Sequence, residues 1–71
     1  MNLGKVPPER KAKWDDQIRF LELRAGPEML NDWEWNFVTH MEALRRNGND
    51  LSLQQSFKLN EIFHNAERKI G

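Results

Sequence analysis

Glu61-Ile62-Phe63-His64 is the first stretch of this chain whose spacing suggests chemistry. Glu and His three apart on a helix can both reach one metal, as they do in di-iron helical bundles. Such sites need a second Glu-x-x-His pair and two further glutamates, and this chain has no second pair. No metal site is therefore expected within one chain. There is no cysteine, so a thiolate nucleophile, a disulfide and a Cys-ligated zinc are all absent. No Gly-rich phosphate loop is found, and no motif joins Ser to His and a carboxylate. Ser52 reads as a helix cap and Ser56 as a surface residue. His40 flanks the apolar face of its helix and reads as a packed or half-buried side chain. Neither a catalytic residue nor a cofactor is assigned, and the expected class is a non-catalytic binding protein.

Charge narrows the partner class. Eleven basic and eleven acidic residues cancel. A formal charge of zero argues against binding nucleic acid by bulk electrostatics. The distribution is uneven: Lys5, Arg10, Lys11 and Lys13 outnumber Glu9 in the first thirteen residues. Lys11, Lys13, Arg45, Arg46 and Lys58 are the candidate nucleic-acid contacts. Leu53-Gln54-Gln55-Ser56-Phe57-Lys58 also holds polar groups that can address base edges. A polar solvent face is the plainer account of that segment. No apolar run approaches the ~18 residues that span a bilayer. No signal-peptide core is seen at the N-terminus. The expectation is a cytoplasmic protein without membrane contact.

The elements that must position these residues are all helical. Residues 1–6 read as a disordered tail, and 7–71 as a single helical domain. Pro7-Pro8 can open a helix, because the first helical N–H has no partner anyway. That helix is expected from about Pro8 to Arg24, with Trp14, Ile18, Leu21 and Ala25 on one face. Gly26-Pro27 stops it. A second helix is expected over Asp32 to Arg46. Asn31 caps it with Glu34 three residues on, and Leu30 reaches Trp35 as a hydrophobic staple. Trp33, Phe37, Met41 and Leu44 are its expected core face. Asn47-Gly48 ends it, and Ser52 with Gln55 starts a third helix running to about Lys69. Leu59, Ile62, Phe63, Ala66 and Ile70 form the third stripe. The fold class is all-α. Either a three-helix bundle or an antiparallel hairpin with a loosely attached first helix fits.

Subtracting these stripes leaves large apolar groups over. Phe20 and Leu23 project away from the first face, Trp35 from the second, and Phe57 from the third. A cluster of such groups marks an interface. Aromatics beside Arg are typical anchors. Phe20, Trp35, Phe57 and Arg68 are therefore the expected protein contacts, for a partner or for a second copy in a homodimer.

Leu30-x-x-Trp33-Glu34-x-x-Phe37-Val38 followed by Leu51-Ser52-x-x-Gln55-x-x-x-Leu59-x-x-Ile62 resembles an element of small phage and prophage proteins. The resemblance covers about half of the chain, and the first helix lies outside it. It implies an accessory protein that binds, and inhibits or recruits, nucleic-acid-processing machinery of host or phage. It implies no catalytic residue.

Overall fold

Pro7 stands extended just ahead of the first helix, at φ -61° and ψ 147°, and its carbonyl accepts from the N–H groups of Arg10 and Lys11. Proline at the next position has the right φ for a first turn and loses no helical bond. In the computed structural model, which describes residues 6–70, helix α1 runs over Pro8–Phe20 and continues into one wide π-helical turn, Leu21–Ala25. The Gly26 N–H closes that turn by reaching back to the Leu21 carbonyl. Gly26 then takes φ 67°, which only glycine adopts without steric cost, and the helix ends. A single short turn, α2 over Gly26–Met29, leads to α3 over Asp32–Arg46 and α4 over Leu53–Ile70. The described residues contain no strand, and the molecule is an all-α bundle of three main helices.

Both caps form as the sequence demands. Asn31 Oδ1 accepts from the Glu34 N–H at 2.7 Å, and Glu34 Oε1 accepts from the Asn31 N–H at 3.0 Å. Ser52 and Gln55 repeat the exchange at 3.1 and 2.8 Å. The end of α3 is a full Schellman motif: Asn49 N–H to Leu44 carbonyl, Gly48 N–H to Arg45 carbonyl, with Gly48 at φ 82°.

The packing is not that of a hairpin with a loose first helix. Both α3 and α4 lie along α1, and they meet each other over a shorter stretch. Gln17 pairs with Asn60, and Phe20 with Phe63. Both pairs are offset by the same 43 residues, so α1 and α4 run side by side in one direction. Trp14 and Ile18 on α1 and Leu21 and Ala25 on the π turn are buried in one cluster with Val38 and Met41 of α3 and Leu59, Ile62 and Ala66 of α4.

Several expected placements are corrected. Trp33, expected in the core, is 57% exposed, and Val38 takes the inward position instead. Val38 and Met41 are almost completely buried in the same cluster as the α1 residues, while Trp33 on another side of α3 stays in water. His40 is exposed, one residue round from Met41. Ile70 lies at the end of its stripe and is exposed. Residues 1–5 of the expected tail lie outside the described residues, but Val6 is half-buried against the core.

The Schellman end makes a direct prediction. A Cβ at Gly48 would meet nothing within 4 Å, so the only cost of Gly48→Ala is the left-handed backbone. That cost is about 1 kcal/mol, and Gly48→Asn should lose less, because Asn tolerates the left-handed region better. Urea unfolding should show a lower midpoint with an unchanged slope.

Candidate functional site

Among the described residues, three open recesses stand out. Two lie along the α1–α4 seam and share Lys13 and Gln17. The first, of about 360 Å³, has Arg10, Lys13 and Trp14 on one wall and Leu53, Phe57 and Asn60 on the other. The second, of about 510 Å³, lies between Glu9, Lys13 and Asp16 and the Phe20–Phe63 pair. One polar pair crosses the seam: Gln17, buried, donates from Nε2 to Asn60 Oδ1 at 3.0 Å. Leu53 and Phe57 stand one turn apart on α4, 64% and 66% exposed. Leu23 and Trp33 are also exposed, but Leu53 and Phe57 place two large apolar side chains together at one groove edge.

The expected protein contacts divide. Phe57 is exposed on this groove. Phe20 lines it too, but is half-buried rather than projecting free, because its ring meets Phe63 edge-to-face at 5.1 Å. The Arg24 guanidinium lies 6.0 Å above that ring. Trp35 is half-buried against the core, so the position expected outside the core is partly absorbed by it. Arg68 is exposed, eleven residues and about 16 Å beyond Phe57 along α4, and is not a groove wall. Leu53 joins Phe57 as a candidate contact that periodicity does not single out, because it opens a helix whose stripe it does not share. Its spacing of four from Phe57 is the signal that could have found it.

The expected nucleic-acid contacts are mostly engaged within the molecule. Arg45 bonds Asp15 at 3.0 Å and the Asn49 carbonyl at 2.7 Å, lies 3.4 Å from Asp50, and covers the Trp14 ring at 5.6 Å. Its side chain is only 15% exposed. Lys11 shares Asp50 at 3.4 Å, and Arg46 pairs with Glu42. Lys58 sits 2.6 Å from Glu61 with its ammonium 5.1 Å over Trp33, which itself stacks on Phe37. Lys13 alone of the five has no ion pair among the described residues. The polar groups opening α4 are also occupied: Gln55 in the cap, and the Ser56 hydroxyl on the Leu53 carbonyl at 2.8 Å.

Glu61 and His64 do not converge. Glu61 holds Lys58, while His64 Nδ1 lies 3.5 Å from Glu67. Among the described residues no group of three or more His, Cys, Asp or Glu could hold a metal ion. No helix of the described residues is long and apolar enough to cross a membrane.

The third recess, between α1 and α3, is charged. Burial pushes the Glu22 carboxyl above its ordinary range, the Glu42 carboxylate adds to this, and Arg46 opposes it. Comparison with protein-family models, with curated proteins and with solved structures returns no significant match.

Glu22 gives a pH test. A raised carboxyl means the folded chain holds a proton that the unfolded chain has released, so stability falls as pH rises above the ordinary glutamate range. Glu22→Gln should therefore be more stable than the parent at neutral pH, with the gap closing by about pH 3.5, below the ordinary glutamate value. Urea midpoints at the two pH values measure it. A gap that does not change with pH would contradict the assignment.

Proposed function

We propose that this chain is a non-catalytic protein-binding module that docks a partner on the α1–α4 groove. The observation that carries the reading is the pair Leu53 and Phe57, exposed one turn apart on the first recess of the seam whose second recess holds the Phe20–Phe63 contact. Apolar groups that a domain can bury are normally buried, and a contiguous exposed cluster marks a contact surface. An aromatic over a recess is the usual form of an interface anchor. The internal pairing of Lys11, Arg45, Arg46 and Lys58 favours a protein partner over a phosphate backbone. The resemblance of the α3–α4 residues to small phage and prophage proteins supports a host-cytoplasm setting. There the partner would be nucleic-acid-processing machinery that the module inhibits or recruits.

Phe57→Ala tests this. The ring is mostly in water, so stability should change by less than about 0.5 kcal/mol. Helicity by circular dichroism should be unchanged, while partner capture in a pull-down should fall by about tenfold or more, as for an interface anchor. Loss of the fold together with binding would show that Phe57 is structural. Light scattering across a concentration series supplies the companion readout. A dimer that disappears in Phe57→Ala would make the partner a second copy of the chain.

A further inference from the structure

We propose that the α1–α4 groove takes an acidic amphipathic helix of the partner, with its apolar stripe on Leu53 and Phe57 and its carboxylates on Arg10 and Lys13. This inference rests on the protein-docking reading above and adds the chemistry of the occupant. The constant offset between the two helices sets Arg10 level with Leu53 and Lys13 level with Ser56. Cations therefore run along one rim and apolar groups along the other. Arg10 and Lys13 are three apart, and Leu53 and Phe57 four apart. These are the spacings at which side chains share one helix face. A bound helix repeats its side chains with the same period, so one turn of it can meet both rims.

Charge selects the sign of the occupant. Among the described residues neither Arg10 nor Lys13 has a carboxylate within ion-pair distance, whereas Lys11, Arg45, Arg46 and Lys58 each do. The recess at Leu53 and Phe57 has two cations and no carboxylate in its walls. Glu9 and Asp16 border only the adjoining recess, and nearby Glu61 is held by Lys58. The open end of the groove is thus locally basic on a molecule of zero formal charge. Two cations are too few to track a nucleic-acid backbone, whose binding draws on one cation per phosphate neutralised.

The test is a selection from a displayed library of randomised helical peptides on the full chain. It is repeated on Arg10→Glu/Lys13→Glu and on Leu53→Ser/Phe57→Ser. Acidic substitutions near the start of α1 suit the helix dipole, and all four residues are exposed, so the variants should keep the parent's circular dichroism spectrum. The proposal expects enriched peptides with apolar pairs at helical spacing flanked by Asp or Glu. It expects the charge-reversed protein to bind them at least about tenfold more weakly and to enrich Lys- and Arg-bearing peptides instead. The serine variant should enrich neither. Apolar peptides enriched without acidic bias would overturn the charge inference while leaving the docking reading intact. No enrichment dependent on Leu53 and Phe57, or tighter binding of a DNA duplex than of any selected peptide, would overturn both.

Discussion

Leu21, Val38, Met41, Leu59 and Ile62 lose essentially all contact with water, and they come from three different helices. Burying each such side chain contributes roughly 1.5–3 kcal/mol. A chain of this size has few of them, and its net stability is the small remainder after chain entropy. The face of α1 is the surface that α3 and α4 share. Arg45 seals the edge of this arrangement: one guanidinium holds Asp15 of α1, the carbonyl of Asn49 in the α3–α4 connection, and the Trp14 ring beneath it. Most of the Arg45 side chain is out of water, while Asp15 stays about half exposed, so the pair sits at the edge of the packed region.

Much of this was legible in the sequence because the relevant rules are local. A capping box needs only two residue types three apart, and both form where Asn31–Glu34 and Ser52–Gln55 predict. Gly26 and Gly48 end helices because no other residue takes a positive φ so readily. The α1 stripe was legible because its period survives the wide turn at Leu21–Ala25. What escaped depends on how helices are aimed. Trp33 and Trp35 sit on opposite sides of α3, and periodicity alone cannot say which side α1 will cover. The structure chooses Val38 and Met41, which exposes Trp33 and turns Trp35 inward. The Gln17–Asn60 bond and the reach of Arg45 to Asp15 join residues far apart in the chain, so no local pattern announces them.

The same geometry explains the character of the candidate site. Equal numbers of acids and bases permit internal pairing, and most of the cations first considered for nucleic acid are used that way. The exception is Lys13, which with Arg10 lies on the side of α1 where neither α3 nor the α3–α4 connection brings a carboxylate within ion-pair distance among the described residues. Leu53 and Phe57 are left over for a related reason. Leu59, Ile62 and Ala66 fill the side of α4 that faces α1 and α3, and the residues at its start stand beyond the covered surface. Of the four expected contact residues, only Phe20 and Phe57 line the α1–α4 seam, each in its own recess, because the parallel alignment of α1 and α4 brings both to it.

The groove exists only while α1 is docked, so the account stands on that helix being as firmly held as the other two. Native-state amide hydrogen exchange measures this residue by residue, since protection reports the free energy of local opening. Amides from Trp14 to Leu21 are predicted to exchange as slowly as those around Met41 and Ile62, through global unfolding alone. Exchange of the α1 amides many-fold faster than those of α3 and α4 would show a hairpin with a loose first helix, and would contradict the account.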